Sequence, residues 1–316
     1  MKIEYNKKGV SYSRRGYYRK AVDEFEKAIK LDPNFSVAYN NLGTALCKIA
    51  LEESPLVDFR QVATHESDKS ATINQEGIQL AKKSCYDGAI EKFEYALELD
   101  DWFSPARYNL GICCFLRGRL KEASYCFQKY GSHHPNDMAS VYNLRKVNLR
   151  FKLYYRALSA FTTAIDLDPE DPSPYANTAI PLVGLQMYDE AERYVNKALD
   201  LNPKLSSAHG NKGYVYMEQK EWAEAISHFT RALKLDPKSV ELWNNLGICH
   251  ARIGQYRVAM RALKKASSLD NKNEAVFKNR EAVRNLLHRK LFGAGAVGRY
   301  LGIVGAESNY NSLVFV

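Results

Sequence analysis

The sequence predicts an all-α solenoid of stacked helical hairpins, and three observations predict it. Ala21, Ala89, Ala123, Ala157, Ala191, Ala225 and Ala259 recur at 34 residues or twice that. Four residues further on stand Phe25, Phe59, Phe93, Phe127, Phe161, Val195, Phe229 and Leu263. Small residues lead the units at Gly9, Gly43, Gly77, Gly111, Ala179, Gly213 and Gly247, with Arg145 the exception, and Pro33, Pro135, Pro169, Pro203 and Pro237 close them. Within each period two amphipathic stretches of about a dozen residues place apolar side chains three and four apart, as helices require. One such hairpin cannot bury both its faces, so it must stack on its neighbours, and the small positions let the helices approach.

Taken in order, the units span 2–35, 36–69, 70–103, 104–137, 138–171, 172–205, 206–239 and 240–273. Their period and the order of small, aromatic and proline positions resemble the tetratricopeptide repeat family. The best single copy is Trp243-Asn-Asn-Leu-Gly-Ile-Cys-His250, followed by Tyr256 and Ala259. The resemblance implies a right-handed superhelical solenoid of about eight repeats. The first helix of each hairpin, helix A, would line a concave groove, and helix B would lie behind it. Residues 274–290 repeat the start of a unit but carry Arg280, Arg284, Arg289 and Lys290, the pattern of a capping helix with a polar outer side. Residues 291–316 form a glycine-rich apolar tail.

Three departures interrupt the pattern. Ser54-Pro55 reads as an N-cap and first helical position, so helix B of 36–69 is expected to start late, after a long connection that could hinge. In 138–171, Arg145 and Lys146 stand where close packing needs small residues. In 172–205, Pro181 removes the hydrogen bond owed to the Asn177 carbonyl, and a kink with a ligand or water at that carbonyl is expected.

Composition bounds the function. The chain has 316 residues, 46% of them apolar and 26% charged, which excludes disorder and a disulfide miniprotein. No apolar run approaches the ~18 residues of a membrane span, and the first residues lack the apolar run of a signal peptide. The six cysteines show no Cys-x-x-Cys spacing and read as reduced, packed thiols of a cytoplasmic protein. Of the net charge of +9, residues 240–316 carry +7, which points to an acidic surface or partner at that end. There is no phosphate-cradling glycine loop, nucleophile elbow or His-Glu-x-x-His. His133-His134 lacks a third ligand, and Cys113-Cys114 falls within a helix. No catalytic residue, metal site or cofactor is expected.

The ordered polar series is the sixth position of helix A: Asn41, Gln75, Asn109, Asn143, Asn177, Asn211, Asn245 and Asn279. An amide both donates and accepts, so each could bridge the N–H and C=O of an extended peptide. The column resembles the asparagine ladder in the superhelices of O-linked N-acetylglucosamine transferase and kinesin light chains. It is expected exposed in the groove, so alanine at Asn211 and Asn245 should weaken binding and barely change stability. Ile112, Phe115, Tyr214 and Met217 would form an apolar floor, with Lys48, Lys82, Lys146, Arg150 and Arg252 interleaved. That floor suits protein segments or peptides with apolar anchors and acidic residues. The cochaperone clamp for a C-terminal carboxylate needs Lys at position five and Asn at position nine. No unit has that pair, and Asn6 with Val10 and Asn74 with Ile78 stand in its place.

The reading is a non-enzymatic interaction scaffold or adaptor that binds extended peptides. Alternatives are a regulatory or targeting subunit of an enzyme assembly, or association with RNA or an anionic membrane through the basic end. Nucleic acid is the less expected partner. The tail has several candidate docks: its own groove, another copy in a homo-oligomer, a partner, or a membrane surface.

Overall fold

The computed structural model describes residues 1–52, 59–60, 69–83 and 85–292. Among these residues there are fifteen α-helices and no strand. Consecutive helices pack as antiparallel pairs, the arrangement of a tetratricopeptide solenoid. The expected tail, the hinge and the late helix B near Pro55 lie outside the described residues.

Two turn chemistries punctuate the helices. Between A and B the chain reverses through a left-handed residue: Gly16 (φ 79°), Gly118 (φ 74°), Gln186 (φ 60°), Lys220 (φ 65°) and Gly254 (φ 75°). These sit one period or a multiple of it apart, and glycine occupies three of the five because it adopts positive φ without steric cost. Between B and the next A, a carboxylate or amide stops the helix and accepts from the backbone two residues on. Asp32 accepts from the Asn34 N–H (3.0 Å), Asp100 from Trp102 (2.9 Å), Asn202 from Lys204 (3.0 Å), Asp236 from Lys238 (3.1 Å) and Asp270 from Lys272 (3.0 Å).

The chain divides into two compact units. The first comprises 1–52 and the chain from 152 onward. Its A helices are α1 (Lys2–Arg14), α3 (Ser36–Glu52), α9 (Pro172–Gly184), α11 (Ser206–Glu218), α13 (Val240–Arg252) and the cap α15 (Glu274–Phe292). Its B helices are α2 (Tyr18–Leu31), α10 (Tyr188–Leu201), α12 (Trp222–Leu235), α14 (Tyr256–Leu269) and the part of α8 (Met138–Leu167) that follows residue 151. Each A helix touches the next, α3 touching α9. The second unit holds α4 (Lys69–Lys82), α5 (Tyr86–Leu99), α6 (Ser104–Leu116), α7 (Leu120–His133) and the first part of α8.

This division corrects the expectation of eight consecutive hairpins. Residues 138–167 form one helix where two were expected. The partner of α3 is not the segment that follows it. A Cβ on Gly43 would meet the Phe161 ring at 2.6 Å, just as one on Gly77 would meet Phe93 at 2.6 Å. Phe59, the aromatic that the period assigns to Gly43, is not helical. The cause lies at the turn positions. The left-handed residue expected at 50 is Ala50, and at 152 it is Lys152; both are helical, so neither helix reverses there. Residues 53–151 are thus inserted between helix A and helix B of a single repeat.

The cores are built from the predicted positions. Ala21, Phe25, Ala89, Phe93, Ala157, Phe161, Ala191, Val195, Ala225 and Phe229 are all fully or almost fully buried. Pro181 is buried within α9, which continues helical through it. All six cysteines are free thiols. Burial pushes the Cys126 and Cys249 thiols up to about 12, and Cys47, Cys113 and Cys114 higher still. No described helix is long and apolar enough to cross a membrane.

Candidate functional site

Six of the eight position-six amides bond to a neighbouring A helix, whereas Asn245 Nδ2 is buried without a partner. Asn41 Nδ2 donates to Asn6 Oδ1 (3.0 Å), Asn109 Nδ2 to Asn74 Oδ1 (2.9 Å) and Asn279 Nδ2 to Asn244 Oδ1 (2.9 Å). Asn143 Nδ2 donates to the Tyr108 hydroxyl (3.1 Å), and Asn211 Nδ2 to the Ala176 carbonyl (3.0 Å). In each case the acceptor lies 35 residues earlier, at position five of the preceding A helix. Asn177 Nδ2 donates instead to Asn40 Oδ1 (3.1 Å), 137 residues earlier. The excess is three periods, close to the length of the insertion.

The expectation of an exposed ladder is corrected by this geometry. Asn109 and Asn245 are 0% exposed, Asn177 and Asn211 1%, Asn143 5% and Asn279 7%. Asn41 and Gln75 are half-buried. An amide that bonds to the neighbouring repeat is drawn between the helices, because a buried donor left unpaired is costly. The apolar floor is likewise inside: Ile112, Phe115, Tyr214 and Met217 are buried. Arg150 is buried too, its guanidinium 4.0 Å over the Phe115 ring and its Nη1 donating to the Phe115 carbonyl (3.2 Å). Lys146 and Arg252 are half-buried over Tyr142 and Trp222, Lys48 is half-buried, and Lys82 is exposed.

One ladder amide also clasps the backbone of a single non-helical residue. Asn109 Oδ1 accepts from the Arg60 backbone N–H (2.7 Å), and Asn109 Nδ2 donates to the Arg60 carbonyl (3.0 Å). The Arg60 guanidinium lies 4.9 Å over the Tyr108 ring and pairs with Asp137. Asp137 also caps α8, accepting from the Ser140 N–H (3.2 Å). Burial pushes the Tyr108 phenol up to about 12, which keeps it a neutral acceptor for Asn143. Tyr130, packed on Tyr108 at 4.9 Å, lines a cavity of about 370 Å3 with Asp101, Trp102, Ser104, Arg107, Lys129, His133 and His134. The two histidines pack on rings, His133 on Trp102 and His134 on Tyr130.

Sequence reasoning missed Arg60, Tyr108, Asp137 and Asn74. The position-five asparagines Asn6, Asn40, Asn74 and Asn244 were a legible signal for the acceptors. Arg60 had no signal, since the period places it inside helix B. A further polar cluster was also missed. His209 and His228 stack at 5.7 Å, Tyr216 stacks on His228 at 5.5 Å, and the Tyr216 hydroxyl donates to Glu192 Oε1 (2.8 Å). Burial, with Lys212 and His209 nearby, pulls His228 down to about 4.

Tetratricopeptide repeat profiles match residues 3–35, 24–56, 82–146 and 204–272. BBSome complex member BBS4 of Bos taurus is 22% identical over 185 residues, 58% of this chain and 36% of that protein. A probable UDP-N-acetylglucosamine–peptide N-acetylglucosaminyltransferase SPINDLY of Hordeum vulgare is 27% identical over 139 residues, 40% of this chain and 14% of that protein. The chain therefore corresponds to little more than a third of the first relative and a smaller part of the second. Among solved structures, YrrB, described as a TPR protein with an unusual peptide-binding site, is 20% identical, covering 60% of this chain and 97% of its own, with a TM-score of 0.36. The TPR2AB-domain:pHSP90 complex of yeast Sti1 is 16% identical, covering 92% of this chain and 98% of its own, with a TM-score of 0.33.

Proposed function

Because the chain belongs to the tetratricopeptide repeat family, whose repeats generally mediate protein–protein interactions, we propose that it is a non-enzymatic scaffold that binds extended peptide segments along its A helices. The observation that carries this reading is Asn109, which pairs with both backbone groups of a non-helical residue, Arg60. Such a clasp is indifferent to the side chain it holds, so it supplies affinity, while neighbouring side chains supply selectivity. The non-enzymatic part of the reading is supported by how the nucleophile and base candidates are used. The thiols are shifted away from thiolate, and His133 and His134 are spent on ring packing. A place as one subunit of a larger assembly fits the same reading, as the bovine relative's name states of that protein.

The test is to select peptides from a random library on the purified chain and map the bound complex by hydrogen exchange. Protection concentrated on the A helices is expected. Protection confined to B helices, or no selectable peptide, would overturn the reading.

A further inference from the structure

We propose that the A-helix face of the second unit is a recognition site for an arginine carried on an extended peptide, and that Arg60 is the chain's own occupant of it. This rests on the peptide-binding reading above and deepens it. The site is oriented by contacts that do not involve Arg60. Asn74 Oδ1 takes one hydrogen of the Asn109 amide, which fixes which way that amide faces. Asn143 holds the Tyr108 hydroxyl and so the ring. Asp137 accepts from the Ser140 N–H through Oδ2, leaving Oδ1 turned to the guanidinium.

Each remaining group then reads one property of the ligand. Asn109 reads a non-helical backbone. The Tyr108 face accepts a flat cation, and the Asp137 carboxylate sets its charge, the combination that favours a guanidinium over an ammonium. This selects the opposite charge from the acidic segment that the interleaved cations predict.

The resident does not satisfy the site fully. Arg60 Nε is buried without a partner, and so is Asn74 Nδ2, one A helix earlier along the ladder. An unmet buried donor is a standing cost, so a segment that offers an acceptor to Asn74 Nδ2 and carries a partner for its own arginine Nε binds better than the resident. Tethering compensates for the poorer fit, because a linked segment competes at an effective concentration on the order of millimolar. Arg60 therefore works as a built-in competitor, raising the threshold for an external arginine-bearing segment.

The probe is a fluorescent peptide of residues 56–64, titrated by anisotropy into the full chain. Arg60→Ala should bind it at least tenfold more tightly than the unaltered chain. The same peptide with alanine in place of its arginine should lose at least tenfold on the Arg60→Ala protein. Asp137→Asn, which keeps an oxygen to cap α8, should remove that discrimination without lowering Tm. Arg60→Lys, which keeps the charge but loses the flat fork, should fall between the two and serves if Arg60→Ala melts early. Equal affinity for unaltered and Arg60-substituted chains, or indifference to the peptide's arginine, overturns the proposal. If library-selected peptides still protect the A helices, that result leaves the peptide-binding reading standing.

Discussion

Gly43 and Phe161 make contact across 118 positions of sequence, and that contact can be tested directly. A Cβ at Gly43 meets the ring at 2.6 Å, so Gly43→Ala should cost about 1–3 kcal/mol through overpacking. Combined with Phe161→Ala, the loss should be smaller than the sum by about 1 kcal/mol or more, whereas Phe59→Ala should simply add. Chemical denaturation of the four variants reads this. Asn211→Ala should cost about 1–2 kcal/mol, because its buried amide bonds the Ala176 carbonyl. An unchanged melting curve would return that amide to the solvent-facing role first expected of it. His228 gives a pH signature. Its folded pKa of about 4 lies below the ordinary 6.5, so the unfolded chain binds the proton first. Its contribution to stability is present above about pH 6.5 and is lost as pH falls toward 4. For a side chain still partly open to water this amounts to about 1–2 kcal/mol. His228→Phe should flatten the Tm profile across that window, and a profile unchanged by the substitution would remove His228 as its source.

Among the described helices, α8 is the clearer of two whose form depends on a missing turn. Where other hairpins reverse at Gly16, Gly118 or Gly254, α8 passes through Lys152 without a left-handed residue. Lysine at an α-helical position is favourable, and nothing around it (Arg150-Phe-Lys-Leu-Tyr-Tyr155) caps or breaks a helix. Lys152→Gly should therefore weaken α8 by about 1 kcal/mol at its middle. Amide exchange should quicken over roughly residues 150–156 while the helices on either side keep their protection. A contiguous hairpin hidden at this point would instead be stabilised by the glycine. Ala50 plays the same part in α3, which runs on to Glu52 instead of reversing.

At the scale of the whole molecule, two deletions of about three periods each give opposite expectations. Removing 53–151 and joining α3 to the rest of α8 through a short glycine-serine turn leaves a complete first unit, so it should unfold cooperatively with native-like helicity. Removing 70–171, three periods by sequence phase, strips α3 of Phe161 and should yield a chain with lost cooperativity. Circular dichroism melts separate the two. What the sequence by itself determined was local and periodic: the helices, the turn residues, the buried Ala and Phe positions, and the family. Those features depend on spacing within one repeat, and spacing survives any rearrangement that preserves phase. An insertion close to three periods long preserves it. The period therefore could not reveal that Gly43 packs on Phe161 or that Asn177 bonds Asn40. It also could not reveal that Arg60, in phase for a helix, is non-helical and pairs through its backbone with Asn109. Tertiary structure decided those pairings, because which helix closes a hairpin depends on where the chain reverses. At positions 50 and 152 Ala50 and Lys152 let the helix continue, and the partner came from the far side of the insertion.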